Sequence, residues 1–185
     1  MLSAWRKWRR QRAADRLEIS EIQWQDAEYA LPFLDRLSAD ERRRLRELAR
    51  QFIAEKQWSA APGLQLTPAK QLSIALQACL PILNLGLDWY RGWVGIVVYP
   101  GDFVIPRQSV DADGVVHEYD DPVLGEAWEG GPVLLSWFDN LDAVGDVSIV
   151  IHEFAHQLDM SNNEVDGLPA LHADMTRSAW IAGMR

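Results

Sequence analysis

The chain has 185 residues, 48% of them hydrophobic, and a formal net charge of −9 from 27 acidic and 18 basic side chains. This length and composition suffice for one globular domain with a sizeable core. The net negative charge disfavours a protein that binds nucleic acid directly, because such a surface repels phosphates and gains little from counterion release.

Basic side chains are concentrated at the start of the chain. The first sixteen residues contain one acid, Asp15, and these bases: Arg6, Lys7, Arg9, Arg10, Arg12 and Arg16. The segment that follows lacks the apolar run and the cleavage site of a signal peptide. We expect residues 1–20 to form a frayed, solvated basic tail and residues 21–185 to form the folded domain. Docking of Trp5 and Trp8 on an anionic membrane surface is the alternative.

No stretch reaches the roughly 18 apolar residues of a membrane-spanning helix. The most apolar stretch, residues 72–87, is shorter and is interrupted by Pro81. It contains the lone cysteine of the chain, Cys79, which cannot form an internal disulfide. A single free cysteine fits a reducing compartment, so we expect a cytoplasmic protein.

Two helices are predicted in the first half of the chain. One is predicted over residues 38–58 and opens at Ser38, which has Glu41 three residues later in capping-box spacing. Its apolar residues fall on one face of the helix: Leu45, Leu48, Ala49, Phe52 and Ile53. The second starts with Thr67 as its cap and Pro68 in the first turn, and extends to Gly86.

The hydrophobic pattern changes in the second half. Residues 93–100 and 131–138 are short apolar runs bounded by glycine and proline, which is typical of strands. Between them, Asp113 and Gly114 form a hairpin turn signal. The predicted fold is therefore of the α+β class, with a helical N-terminal part followed by a small mixed sheet.

The chemically informative stretch is residues 150–160, VIHEFAHQLDM. Residues i and i+4 lie on one face of a helix, so His152 and His156 can both reach one zinc ion at about 2.0–2.1 Å. Glu153 is rotated by roughly 100° from His152 and can reach a water on the metal without ligating it, as a general base must. Asp159 follows on the histidine face and could accept a hydrogen bond from a ligand histidine, or act only as a cap.

Two other interpretations of this stretch stay open. It could be a buried amphipathic helix whose histidines are merely hydrogen-bonded, although such polar groups are costly near a core unless they are paired. The β-branched run of residues 147–151 could instead form a strand, which would separate the imidazoles too far to share a metal.

A catalytic zinc needs a third protein ligand. The metzincin pattern would require glycine at position 159 and histidine at 162, where the chain has Asp159 and Asn162. Glu164, the last glutamate, follows His156 too closely for a thermolysin-like site. The remaining candidates are more plausibly surface or capping residues: Asp166, His172 and Asp174.

Four segments resemble, in the same order, those of the Mlc titration factor A family of zinc-dependent peptidases. They are QLSIALQACLPILNLGLDWYRGW, VVYPGDF, GPVLLSWFD and VIHEFAHQLD. The resemblance implies a cytoplasmic zincin-like fold related to the gluzincins, zinc bound by His152 and His156, and Glu153 as general base. It also implies aminopeptidase-like activity and binding to a glucose-responsive transcriptional repressor.

In that family the third ligand is a glutamate on a helix well beyond the histidines. We therefore expect the 185-residue chain to lack the C-terminal helices of the family and to be inactive. It is either incomplete at its C-terminus, as a piece of a longer protein, or a naturally short member of the family. By analogy with zincins, the strand at residues 131–137 is expected to be the edge strand that pairs with a peptide substrate. An ordinary interior strand is the alternative, and the sequence does not separate the two. Two functions stay open: a zinc metallopeptidase, or a non-catalytic regulatory binding module on the same fold.

Overall fold

The computed structural model describes residues 2–110, 116–128, 130–138, 148–162, 167, 171 and 175–183. Within these ranges the α-helices are α1 (Leu2–Ala14), α2 (Glu21–Tyr29), α3 (Ala39–Glu55), α4 (Pro68–Cys79), α5 (Ile149–Asp159) and α6 (Arg177–Gly183). The strands are β1 (Gln57–Ala60), β2 (Gly95–Tyr99), β3 (Phe103–Val110), β4 (Val116–Val123), β5 (Gly125–Ala127) and β6 (Val133–Ser136).

Helix α3 begins where the capping box predicts. The Ser38 backbone N–H donates to Glu41 Oε2 (2.9 Å), and the Glu41 N–H donates to Ser38 Oγ (3.3 Å), so two otherwise unpaired donors of the first turn are satisfied. The helix ends at Glu55, and the next residues form β1, a strand that the sequence did not predict.

Helix α4 starts as expected but is shorter than predicted. Thr67 Oγ1 accepts from the Lys70 N–H (3.3 Å), and Pro68 occupies the first turn. The helix ends at Cys79 rather than near Gly86, because Pro81 has no backbone N–H to continue it.

The N-terminal segment is not a frayed tail. Residues 2–14 form α1, which packs on α3, and Arg10 is ion-paired with Glu55 and Asp88 across that contact. Helix α2 follows; the sequence did not predict it, although Ser20 and Gln23 form a second capping box there.

The main sheet is mixed and has the strand order β1-β2-β6-β5. β1, β2 and β6 are parallel, and β5 runs antiparallel to β6. β6 therefore lies inside the sheet with β5 at its edge, and the prediction that residues 131–137 form the edge strand is wrong. β3 and β4 pair antiparallel as a separate hairpin, while Asp113 and Gly114 lie outside the described residues.

The core joins the helices to the sheet through a cluster of aromatic rings. Phe154 of α5 lies 5.5 Å from Phe52 of α3 and 5.2 Å from Tyr90, measured between ring centroids. Both Phe154 and Phe52 are fully buried. Burial of these large rings helps to hold α5 against the rest of the molecule.

One charged side chain is enclosed beside this cluster. Lys56 Nζ donates to the carbonyl oxygens of Tyr90 (2.7 Å) and Trp93 (2.9 Å) and lies 3.8 Å from the centre of the Trp93 ring. Burial lowers the pKa of Lys56 to about 8, although the charge of Glu55 opposes the shift. Lys56 thus fixes the turn that precedes β2.

Among the described helices, none has the length and apolar character needed to cross a bilayer.

Candidate metal centre

The stretch that carries the histidines is a helix, so the alternative of a strand is wrong. α5 begins after Ser148, whose Oγ accepts from the Ile151 N–H (3.1 Å) and donates to Gln77 Oε1 of α4 (2.7 Å). An N-cap of this kind is worth about 1 kcal/mol. The bond to Gln77 also fixes the start of α5 relative to α4.

His152 and His156 lie on the exposed side of α5. Their Nε2 atoms are 3.1 Å apart, and the two ring planes are nearly perpendicular. Two nitrogens at about 2.0–2.1 Å from a tetrahedral zinc are roughly 3.3 Å apart, so this pair is close to the separation that one ion requires. The donor set fits a zinc ion: neutral imidazole is a preferred zinc ligand, and the pair opens to solvent.

Glu153 lies against the edge of the sheet. Its side chain is 6% exposed and lies against the backbone of Gly125 in β5. A Cβ atom at position 125 would stand 2.6 Å from Glu153 Cγ and 2.7 Å from Oε1, distances that real atoms do not tolerate. Only glycine at this position leaves room for the carboxyl group.

Two effects act on the acidity of Glu153. Burial raises its pKa, because the charged form is poorly solvated, and the nearby charge of Glu126 raises it further, to about 7. Glu126 follows Gly125 in the same strand. A carboxyl group with a pKa near neutral pH can both accept and release a proton there.

Among the described residues, Asp159 makes no hydrogen bond to either histidine. It is buried, and its Oδ2 accepts from the Gly167 N–H (3.1 Å), which ties the chain beyond α5 back to the helix. Within the described residues its Oδ1 has no hydrogen-bond partner. Its support of a ligand histidine stays a prediction.

Among the residues that the structure describes, no side chain joins the two histidines as a candidate third ligand. In those ranges no group of three or more His, Cys, Asp or Glu side chains could hold a metal ion. The other candidates all lie outside the described residues: Glu164, Asp166, His172 and Asp174.

Sequence reasoning missed both residues of β5 that adjoin Glu153. Gly125 and Glu126 are distant from Glu153 in sequence, and β5 is only three residues long, with no alternating apolar pattern. A glycine inside a strand indicates that another group approaches the backbone closely, but this signal could not be used for Gly125 because the sequence did not predict β5.

A His-Glu-x-x-His helix packed under the edge of a mixed sheet is the arrangement expected of a metallopeptidase. The chain belongs to the family described as glucose-regulated metallo-peptidase M90, whose sequence model matches residues 5–185. The family predicted from the four sequence segments is therefore confirmed.

Curated relatives named Mlc titration factor A are similar to this chain. The protein from Klebsiella pneumoniae (strain 342) is 39% identical over 164 residues, which cover 86% of this chain and 61% of the relative. The protein from Salmonella agona (strain SL483) is 40% identical over 149 residues, 79% of this chain and 56% of the relative. The chain thus spans about three fifths of the length of these relatives.

Proposed function

We propose that this chain carries the zinc-binding helix of a zincin-like, aminopeptidase-like metallopeptidase. His152 and His156 are the proposed zinc ligands, and Glu153 is the proposed general base. The observation that supports this most is the 3.1 Å separation of the two Nε2 atoms on the open side of α5. The family membership and the buried carboxyl group on the next residue add to it.

A bound zinc ion would supply a Lewis acid that polarises the scissile carbonyl and acidifies a water molecule. The protein side of the reaction falls to Glu153, which takes the proton of the attacking water and delivers it to the leaving amine. Its position against Gly125 restricts its rotamers, so the carboxyl group is held in place between α5 and β5.

The outer edge of β5 is the proposed place for an extended peptide. In the described part of the sheet, β5 pairs on one side only, with β6. A peptide that adds to the free side would gain main-chain hydrogen bonds and would run past Glu153, which lies against this strand.

The test measures zinc first and hydrolysis second. Purified chain is dialysed against zinc, and bound metal is determined by elemental analysis; an aminoacyl anilide then reports hydrolysis with and without a chelator. We expect zinc to bind to the wild type and to Glu153→Gln, and any hydrolysis to stop with chelator and with Glu153→Gln. Zinc that binds equally well after both His152→Ala and His156→Ala would contradict the proposal.

A second candidate function is a binding module. The relatives are named for titration of Mlc, and the described residues of this chain supply only two candidate zinc ligands. On this hypothesis the chain binds the Mlc repressor, a glucose-responsive transcriptional repressor, without cutting it. Stoichiometric binding of purified Mlc that is unchanged by Glu153→Gln, together with no hydrolysis by the zinc-loaded chain, would favour this function.

A further inference from the structure

Helix α1 presents one exposed face with an unusual composition. Trp5, Trp8, Arg9 and Arg12 recur at helical spacing, and all four are exposed. The two tryptophans each leave 53% of their surface to solvent. Large aromatic side chains are normally buried, so two of them exposed on one face indicate an interaction surface.

The opposite face of α1 anchors the helix. Ala14 is fully buried, and the Arg10 side chain is 10% exposed, with Arg10 Nη2 3.2 Å from Asp88 Oδ1. Arg50 of α3 donates through Nη2 to the Ala14 carbonyl (3.2 Å). These contacts fix the rotation of α1, so the tryptophans are held outwards by the fold.

Each tryptophan is paired with an arginine of the next turn. The Arg9 guanidinium lies 4.8 Å from the centre of the Trp5 ring, and that of Arg12 lies 4.7 Å from the Trp8 ring. Such pairs keep the cation beside the indole rather than in bulk water. The exposed face of α1 therefore presents apolar indole surface and positive charge side by side.

The surface continues onto the loop before β2. Val94 is 48% exposed and Arg91 is exposed, and both line one groove together with Trp5 and Arg9. We call this set the Trp-Arg face: Trp5, Trp8, Arg9, Arg12, Arg91 and Val94.

Positive charge is concentrated at the α1 end of the chain. The first sixteen residues hold six of the 18 basic side chains but one of the 27 acids. An anionic surface would attract the α1 end and repel the rest of the chain, which would orient the molecule with the Trp-Arg face inwards.

We propose that the Trp-Arg face docks reversibly on an anionic lipid bilayer. The indoles of Trp5 and Trp8 would enter the headgroup region, where tryptophan is favoured, and the arginines would contact lipid phosphates. A nucleic acid would satisfy the cations but offers no apolar layer for two indoles and Val94, so the bilayer fits the composition better. Because the helix is short and binding depends partly on charge, we expect it to be weak and sensitive to salt.

The test is flotation of the full 185-residue chain with lipid vesicles. One set contains phosphatidylglycerol mixed with phosphatidylcholine, and the other contains phosphatidylcholine alone. We expect binding to the anionic set at least ~10-fold tighter than to the neutral set, and loss of most of it at ~0.5 M NaCl.

Two double variants separate the apolar and the charged contributions. Trp5→Ser with Trp8→Ser, and Arg9→Gln with Arg12→Gln, are each expected to weaken binding at least ~10-fold. The matched controls are Tyr29→Ser, a 90% exposed aromatic on α2, and Arg36→Gln with Arg43→Gln, an exposed arginine pair elsewhere. The controls should bind like the wild type. Unfolding temperatures show whether each variant is folded. If the tryptophan variant is unfolded, vesicle binding by the arginine variant tests the proposal.

Three results would overturn the proposal. They are no binding to anionic vesicles, equal binding to both vesicle sets, and binding that the arginine variant or a folded tryptophan variant retains. Duplex DNA at the same phosphate concentration is the competing probe. Tighter binding to DNA than to anionic vesicles, weakened by the arginine variant and unaffected by the tryptophan variant, would assign the face to nucleic acid instead.

Discussion

Glu153 of α5 lies directly against Gly125 of β5, so that the proposed base and the edge of the sheet are in van der Waals contact. Gly125 pairs with Leu135 of β6, which places it firmly in the ladder of the sheet. The carboxyl group of Glu153 can therefore occupy its position only because Gly125 of β5 has no side chain.

The first prediction tests this contact. Gly125→Ala places a methyl group 2.6–2.8 Å from three atoms of Glu153, so the carboxyl group must move. We expect a loss of about 1–3 kcal/mol in the free energy of unfolding, measured by urea denaturation. In any form that hydrolyses peptides, the rate should fall while zinc affinity stays. Gly95→Ala is the control for the rate: its new methyl group lies 3.1 Å from Pro132 Cβ and 3.6 Å from Pro132 Cα but near no atom of Glu153, so it should leave the rate unchanged. An unchanged rate and stability for Gly125→Ala would show that the Glu153 side chain can adopt another conformation without cost.

The second prediction concerns the chemistry of Glu153. In any hydrolytically active form, Glu153→Gln should keep zinc but lower the rate at least ~100-fold, because an amide cannot accept the proton. Elemental analysis and initial rates measure the two effects. Glu41→Gln serves as the control, because glutamine also completes a capping box and α3 should be retained. A near-normal rate for Glu153→Gln would remove this residue from the mechanism.

The third prediction concerns the histidines. His152→Ala and His156→Ala should each weaken zinc binding at least ~10-fold, because one imidazole alone cannot chelate. The measurement is competition with a zinc-sensitive dye at constant pH. His117→Ala, in β4 of the separate hairpin, should leave the affinity unchanged. Two histidines without a third ligand should also release zinc to a mild chelator; tight retention by the wild type would place another ligand outside the described residues.

The fourth prediction concerns an ion-pair network between α2 and α3. Arg46 Nε donates to Glu28 Oε1 (2.6 Å) and Nη1 to Glu21 Oε1 (2.9 Å), and Glu28 is only 7% exposed. Burial raises the pKa of Glu28, but the bonds and charge of Arg46 outweigh this effect and hold the pKa below its ordinary value. Arg46→Met should cost roughly 2–4 kcal/mol, because it leaves a buried carboxylate with weaker partners.

The control for this network is an exposed pair on the same helix. Arg43 Nη2 lies 2.9 Å from Asp40 Oδ1, and both side chains are more than 70% exposed. Arg43→Met should cost at most ~0.5 kcal/mol. Equal losses for Arg46→Met and Arg43→Met in chemical denaturation would mean that burial adds nothing to the network.

The fifth prediction is a pH dependence of stability due to Lys56. Its pKa is about 8 in the folded chain and 10.5 ordinarily, so between these values the unfolded chain binds more protons. Lys56 should therefore raise the free energy of unfolding from pH 8 to 10.5, by up to ~3 kcal/mol. Burial raises the pKa of Cys79 and of Tyr90, and these two groups act in the opposite direction in the upper part of this range, so the contribution of Lys56 is the difference between the wild type and Lys56→Met. Lys56→Met should lack this rise, whereas Lys70→Met should keep it. The same slope in Lys56→Met as in the wild type would assign the effect to other groups.

The sequence predicted the elements that carry strong local signals. The capping residues Ser38 and Thr67 predicted the starts of α3 and α4, and the histidine spacing predicted that residues 149–159 are helical. These signals are reliable because caps and helical periodicity act within a few residues. The two central strands were also predicted, since each is an apolar run between turn residues.

The remaining features depend on partners distant along the chain. β1 and β5 are short and largely polar or small, and they are strands only because β2 and β6 offer backbone partners. The edge position of β5 follows from strand order, which no local pattern specifies. Gly125 and Glu126 became part of the site for the same reason, and the outward direction of Trp5 and Trp8 depends on contacts between α1 and α3.

Two adjacent residues of α5 contact different parts of the molecule: Phe154 packs in the aromatic cluster, and Glu153 packs against Gly125 at the edge of the sheet. The helix consequently cannot turn about its own axis without expelling one of them. The core thus holds the two imidazoles in place, and at the proposed zinc site little of the binding free energy would go into reshaping the protein. A substitution deep in the cluster, such as Phe52→Leu, would then alter metal affinity from a distance, through the angle at which α5 presents its outer face.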